Sequence, residues 1–418
     1  MSKFIVQGGI PLKGSVKVSG SKNAALPIIC AALLSEKPST LHNIPDIADI
    51  RSIITIINAF GAKTTFENNT LTIDPSDLTP HDIPNELVAR MRASILILGA
   101  LIPRFKEAKM AFPGGCVLGK RSVDAHTHAF KKLGCKILDE TKGLHLKCEK
   151  LVGTQIILPE LSVTATENAI MAAVTAEGDT EIRLAASEPH VQDLCRFLKK
   201  MGAKITGLGT HTLKITGVKS LDGAEHTVIG DYLEAGTMAL AAAATGGDVE
   251  ITGFETEDLD SFWQKFEELG VNFTLTHNSA HIRPTKTFNP IKNLRTAVHP
   301  SFATDLQAPF TVLLTQAQGV SKIFETLFEG RLNYLFELEK MGAHIEFLNP
   351  HQALIIGPGK LKAIPISSCD IRAGAAMVVA ALIADGQTEI SNINYIDRGY
   401  DKLEEKLRAL GADIHRVT

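Results

Sequence analysis

The 418-residue chain has no CxxC pair, no block of like charges and no apolar run long enough to span a bilayer. Its six cysteines, Cys30, Cys116, Cys135, Cys148, Cys195 and Cys369, are scattered, which argues against a zinc site or a disulfide framework and leaves room for a reactive thiol. His126 and His128 stand two apart, on different faces of a helix, so they make a poor metal site; both are expected on the surface of an amphipathic helix. The longest apolar stretch, 373–384, falls short of the roughly 18 residues a membrane helix needs. Forty-three basic against 46 acidic residues give a net charge of −3, evenly spread, with no footprint for nucleic acid or a membrane surface. The first residues carry one positive charge and too short an apolar run for a signal peptide, so a cytoplasmic address is expected. What is present is ordinary for a globular protein, 44% hydrophobic and 21% charged, and the length predicts two or three domains.

A sixfold repeat runs through the chain. A hydrophobic residue, a glycine and a small residue close an amphipathic helix at Gly61, Gly134, Gly202, Gly270, Gly342 and Gly411, with spacings of 73, 68, 68, 72 and 69 residues. Each glycine stands where a helix C-terminus turns left-handed, which a residue without Cβ does most cheaply. A short alternating segment, a polar turn and a second strand follow, as in 203–207 and 213–216. Each repeat also holds a helix apolar around most of its circumference, over 23–34, 92–102, 166–176, 235–244, 305–315 and 372–384. Such helices are buried on all sides. Three units around a pseudo-threefold axis bury them completely, so the chain reads as two three-unit domains, 21–229 and 1–20 plus 230–418. The N-terminal strands, 3–6 and 15–18, are expected to complete the sixth unit.

Polar residues open these apolar helices. Ser21, Thr164 and Thr304 are expected as caps. Lys22, Arg92 and Arg372 are different, because a cation at a helix N-terminus opposes the macrodipole by about 0.3–1 kcal/mol. Such violations in corresponding places point to a shared anion, a phosphate or carboxylate in a cleft common to both domains. The loop 112–121 carries three glycines and a proline. Within it Cys116 neighbours Lys120 and Arg121, a setting that lowers a thiol pKa, although a cysteine in such a loop is incidental as readily as catalytic. Residues 395–400, with Arg398 before Gly399, read as a strand running into a turn.

Taken together, the segments 20–27 (Gly-Ser-Lys-Asn-Ala-Ala-Leu-Pro), 91–94, 113–116 (Pro-Gly-Gly-Cys), Arg121 with Val123, Asp124 and His126, 304–308, Phe328-Glu329 with Arg331, Asp370 with Arg372, and 397–400 closely resemble the UDP-N-acetylglucosamine enolpyruvyl transferase family of bacterial peptidoglycan synthesis. The resemblance covers essentially the whole chain in order. It implies an inside-out α/β barrel, two domains each of three βαβαββ units, with the active site between them. It implies transfer of the enolpyruvyl group of phosphoenolpyruvate to the 3'-hydroxyl of UDP-N-acetylglucosamine with release of phosphate, and neither metal nor organic cofactor.

Residue by residue, it implies Cys116 as general acid at C3 of phosphoenolpyruvate and as the thiol that forms an adduct, and Asp305 as base or orienting acceptor for the sugar hydroxyl. Lys22, Arg121 and Arg398 match the cations that hold phosphoenolpyruvate, and Asn23 a hydrogen-bonding residue at the reacting centre. Arg92, Arg331, Asp370 and Arg372 match supporting cleft residues, and Glu188 a further substrate contact. Uridine and diphosphate would lie along Arg121, Ser122, Val123, Asp124 and Ala125 and along Glu160, Leu161, Ser162 and Val163, with Leu327 touching the sugar. The chain departs from the family pattern at Glu160, often Lys, at Ser122 and Ala303, commonly Pro, at Ser187, frequently Arg, and at Tyr395, usually His. The shikimate-pathway enolpyruvyl transferase and a UDP-sugar-binding module without turnover are the competing readings; the first lacks the Gly-Gly-Cys loop.

Overall fold

A computed structural model describes residues 2–79, 85–89, 91–114, 122–139 and 143–417. These residues form a mixed α/β protein that divides into two compact units. One comprises the described parts of Met1–Ser19 and Gly230–Thr418, the other those of 20–229.

The repeat is seen whole in residues 155–216. Strand Gln155–Ile157 leads into helix Val163–Ala173 and returns as Asp179–Arg183, parallel to the first strand. Helix Pro189–Lys200 follows, then the hairpin Lys204–Thr206 and Thr212–Thr216, which completes a four-stranded sheet. Parallel neighbours require such a helical crossover. Among the described residues there are six sheets; five have four strands with one parallel pair each, and the sixth shows three antiparallel strands.

Two of the sheets borrow strands from far along the chain. Lys3–Gln7 lies antiparallel between Gln387–Ser391 and Asp413–Val417 and completes the sixth repeat. Lys13–Lys17 instead pairs parallel to Asp248–Thr252 and opens the fourth, so only the first N-terminal strand serves the sixth repeat. The reason lies in the turn between them, which carries the chain away from the antiparallel ladder to lie beside a strand reached through a helix. In the other unit Glu225–Thr227 pairs parallel to Ser39–His42 and opens the first repeat.

The six repeat glycines all adopt positive φ, from 83 to 104°. Each closes its helix the same way. Gly202 N–H donates to the Lys199 carbonyl and Ala203 N–H to the Leu198 carbonyl, and the other five repeat both bonds at equivalent positions. This is the Schellman arrangement, which satisfies carbonyls that a helix end leaves unpaired.

The apolar helices are α1 (Lys22–Ala32), α2 (Ile97–Phe105), α3 (Val163–Ala173), α4 (Tyr232–Ala244), α5 (Thr304–Leu314) and α6 (Ile371–Ile383). In one unit α4, α5 and α6 each pack against the other two; in the other, α1 and α3 both pack on α2. A Cβ on Gly236 would come within 2.7 Å of Leu306, so that glycine sets how closely α4 and α5 approach. Met377, Val378, Val379 and Leu382 on α6 are at most 2% exposed, and burying side chains of this size stabilises by about 1.5–3 kcal/mol each. Among the described residues no helix is long and apolar enough to cross a membrane.

Candidate active site

In the unit containing α4 to α6, the first turn of α5 places Asp305 between two arginines. Its Oδ1 accepts from Arg331 Nη2 at 2.7 Å and its Oδ2 from Arg372 Nε at 3.0 Å. Both arginine side chains are about nineteen-twentieths buried, whereas Asp305 keeps 27% of its surface exposed. Burial alone would push the Asp305 carboxyl up, but the guanidiniums of Arg372 and Arg331 outweigh it and hold the group well below the usual carboxylate range. Asp305 is thus a firmly ionised acceptor. Among the described residues Arg331 Nε and Arg372 Nη1 are buried and have no hydrogen-bond partner.

Surrounding residues fix the fork. Asp370 caps α6, accepting from the backbone N–H of Arg372 at 2.7 Å and of Ala373 at 2.8 Å. The Arg372 guanidinium lies over the Tyr400 ring, 5.2 Å from its centroid, and the Tyr400 hydroxyl is hydrogen-bonded to Thr237. Thr304 does not cap α5; its hydroxyl donates to Glu325, a fully buried carboxylate that also accepts from Leu327 N–H. Leu327 itself is exposed. Asp397 pairs with Arg416 through two bonds of 2.7 and 2.9 Å. Arg398 is half-buried at the end of a 3-10 helix, Ile393–Arg398, and not of a strand: Asn392 enters at φ 57° and Ile393 and Ile396 bury one face at a three-residue spacing.

In the other unit Ser21 caps α1, accepting from Ala24 N–H at 3.4 Å. Lys22 pairs with the buried Asp49 at 3.2 Å, and Asn23 beside it is half-buried. Arg92 opens a 3-10 turn, Arg92–Leu96, that leads into α2, and its Nη2 donates to the Ser122 carbonyl at 2.6 Å. Ser122 in turn accepts from Asp124 N–H, starting the helix Asp124–Lys132 after Val123; Ala125 points inward. Glu160 is exposed, Leu161, Ser162 and Val163 are half-buried at the start of α3, and Ser162 makes no side-chain cap. Glu188 precedes helix Pro189–Lys200; burial and then the Glu188 charge push the carboxyl of Glu167, on α3, well above its ordinary value. Cys116 and Arg121, with the rest of 115–121, lie outside the described residues.

His126 is not a surface residue. It is 2% exposed, because an apolar face of its helix turns inward against α3. Asn168 Nδ2 donates to His126 Nδ1 at 2.9 Å and to the Ile95 carbonyl, while its Oδ1 accepts from Gly99 N–H. The amide orientation is therefore fixed, His126 carries its proton on Nε2, and that proton goes to the Thr164 hydroxyl at 3.2 Å. Thr164 thus serves the histidine and not the helix cap. Burial and then Arg92 hold the His126 pKa down at about 3.

The five described cysteines are buried or half-buried. Burial pushes the Cys195 and Cys369 thiols up to about 12 and raises those of Cys30, Cys135 and Cys148 as well. None is a ready nucleophile. Asp49, Glu325, Tyr400 and Asn168 were not singled out as individual site residues from sequence. Only Tyr400 fell within a quoted motif; Asp49 had a usable signal, an acid in the first turn of an otherwise apolar-faced helix, Ala48–Ala59.

The fold is that of the enolpyruvyl transferases. The solved enolpyruvyl transferase NikO from Streptomyces tendae superposes with a TM-score of 0.90 at 25% identity, covering 100% of this chain and 99% of that one. An EPSP synthase from Acinetobacter baumannii shares the fold, with a TM-score of 0.76 at 19% identity over the whole of both chains. The family model for EPSP synthase (3-phosphoshikimate 1-carboxyvinyltransferase) matches residues 6–407. The chain belongs to that family. It is 45% identical to UDP-N-acetylglucosamine 1-carboxyvinyltransferase 3 of Caldanaerobacter subterraneus over 100% of both chains, and 46% identical to the UDP-N-acetylglucosamine 1-carboxyvinyltransferase of Chlorobium limicola over 100% of this chain and 98% of that one.

Proposed function

We propose that the protein transfers the enolpyruvyl group of phosphoenolpyruvate to the 3'-hydroxyl of UDP-N-acetylglucosamine, releasing phosphate, in the cytoplasmic synthesis of peptidoglycan, on an inside-out α/β barrel of two three-repeat units. The observation that carries it is the full-length identity to relatives of that name, together with an Asp305 carboxylate kept ionised between two buried arginines.

The chemistry follows from the side chains. Protonation of C3 of phosphoenolpyruvate makes C2 electrophilic; the sugar hydroxyl adds there, and the tetrahedral intermediate expels phosphate and loses a C3 proton. Cys116 is the acid at C3 in this reading. Lys22, Arg121 and Arg398 hold the carboxylate and phosphate of the three-carbon substrate, for which charge-assisted bonds are suited. Asp305, held well below the usual carboxylate range, orients the sugar hydroxyl and accepts its hydrogen bond. It becomes a stronger base only if a guanidinium turns from it to the departing phosphate, which would raise its proton affinity as the hydroxyl proton is shed. Ser122, Val123, Asp124, Ala125, Glu160, Leu161, Ser162, Val163, Glu188 and Leu327 contact the nucleotide sugar, Asn23 bonds the reacting centre with Arg92 supporting it, and Arg331, Asp370 and Arg372 keep Asp305 in place.

A phosphate-release assay with phosphoenolpyruvate decides the acceptor. Release with UDP-N-acetylglucosamine and none with shikimate 3-phosphate is expected. Release with shikimate 3-phosphate would move the reading to the acceptor named by the family model, and binding of UDP-N-acetylglucosamine without release would make the protein a sugar-nucleotide-binding module.

A further inference from the structure

Two thiols outside this site face one another. Cys135 follows the Schellman cap of helix Asp124–Lys132 and leads into strand Lys136–Asp139; Cys148 directly follows strand Gly143–Lys147. The two strands are antiparallel, with Lys136 opposite Lys147 and Ile137 opposite Leu146, so continuing the register by one residue sets Cys135 opposite Cys148. Cys148 N–H bonds away from this partner, to the Lys106 carbonyl at 2.8 Å, and Cys135 N–H bonds to the Phe130 carbonyl at 2.9 Å. Neither amide serves the ladder between them, so they form a non-hydrogen-bonded pair. Such pairs bring Cα atoms to roughly 4.5 Å, inside the roughly 4.4–6.8 Å that a disulfide bridges. Side chains opposite one another on one face of an antiparallel pair stand with their Cβ atoms roughly 4.5–5.5 Å apart, which sets the two thiols face to face. Both residues are free thiols, 5 and 6% exposed, on the face shared with Leu144 and Leu146.

We propose that Cys135 and Cys148 are a redox pair that closes to a cross-strand disulfide on exposure to a hydroperoxide. The Cys148 thiolate attacks the peroxide, forming the sulfenic acid and releasing hydroxide. The Cys135 sulfur then attacks the sulfenic sulfur, the S–O bond breaks, and the Cys135 proton leaves with the hydroxyl as water; the peroxide is reduced and the two thiols are oxidised. Burial raises both thiols and Lys106 favours both thiolates; Cys148 goes first because the interaction between the pair favours its thiolate and disfavours that of Cys135. Burial makes the reaction slow, and the facing partner makes it end at the disulfide, not at sulfinic acid.

The test is to incubate the full-length protein with hydrogen peroxide, unfold it in an alkylating agent and digest it without reductant. The expected result is one species joining the Cys135 and Cys148 peptides, lighter by two hydrogens and separated by dithiothreitol. In Cys135→Ser, Cys148 should proceed to sulfinic and sulfonic acid. Recovery of both wild-type cysteines singly alkylated, while methionine sulfoxide shows that the oxidant reached the protein, would overturn the proposal. So would a bond from either to another cysteine. The wild-type map decides the matter even if the variant does not fold.

Discussion

The two units share one repeat but cap their buried helices differently. Where α4, α5 and α6 start, carboxylates are built in: Asp231 caps α4 and Asp370 caps α6, each accepting from two backbone N–H groups, and Asp305 lies in the first turn of α5. Where α1 and α3 start, and in the 3-10 turn ahead of α2, no acid occupies the first turn, and the only side-chain cap is the long bond to Ser21. The cations Lys22 and Arg92 stand there instead. A helix start without its own acid is suited to an external anion, and a start already carrying carboxylates presents hydrogen-bond acceptors instead. On the proposed reading one unit is an anion-receiving half and the other a hydroxyl-orienting half.

The largest effect should come from the thiol. Cys116→Ser should lose on the order of a hundred- to ten-thousand-fold in kcat, as loss of a general acid does. Cys116→Asp should keep turnover with a lower pH optimum, because its reference pKa is about 3.9 against about 8.5 for a thiol. Wild-type-like turnover by the serine variant at neutral pH would remove Cys116 from the reaction.

Next is the carboxylate half. Asp305→Asn leaves Arg331 and Arg372 buried without their counter-charge, and urea unfolding should show a loss on the order of 3 kcal/mol. Since the folded pKa of Asp305 is depressed, its stabilisation is fully present above the unfolded value of about 3.9 and is lost as pH falls through the lower folded value. The gap between wild type and variant should be flat from pH 8 to 5 and close in stronger acid. A gap that closes near neutrality would contradict the fork.

The third prediction concerns the anion-receiving half. His126 is held neutral, so its contribution is complete above the ordinary value near 6.5 and is lost as pH falls toward about 3. Wild type should lose about 1.4 kcal/mol per pH unit from this group between roughly pH 6 and 4. In His126→Gln that slope should be shallower by the same amount; an unchanged slope would mean that the histidine is not neutral in the folded protein.

How much of this was legible in the sequence depends on the range of the interaction. The six glycines announced their caps because a Schellman turn is local and needs positive φ at one residue. The apolar helices were legible because burial on all sides leaves no polar face. Lys13–Lys17 was misplaced because its partner, Asp248–Thr252, is more than 230 residues away and alternation alone does not name a partner. His126 was misjudged because a buried neutral histidine depends on Asn168 and Thr164, which lie in another repeat. The pairings Lys22 with Asp49 and Arg372 with Asp305 are likewise tertiary, so sequence showed the odd cations but not their partners.

The smallest effects come from the caps and separate the halves by crowding alone. Gly411→Ala, with nothing within 4 Å of the new Cβ, should cost about 1–2 kcal/mol for the left-handed backbone. Gly61→Ala places its Cβ 2.5 Å from the Asp77 carbonyl oxygen and should cost more in the same unfolding assay. Equal costs would mean that the Asp77 backbone yields freely.

The proposed function, enolpyruvyl transfer from phosphoenolpyruvate to the sugar hydroxyl, is tested most directly by the product formed in heavy water. Protonation at C3 followed by loss of a C3 proton should yield UDP-N-acetylglucosamine carrying an enolpyruvyl ether, with deuterium in its vinyl group by mass spectrometry and one phosphate released per ether formed. Phosphate released together with pyruvate, with UDP-N-acetylglucosamine recovered unchanged, would contradict the account.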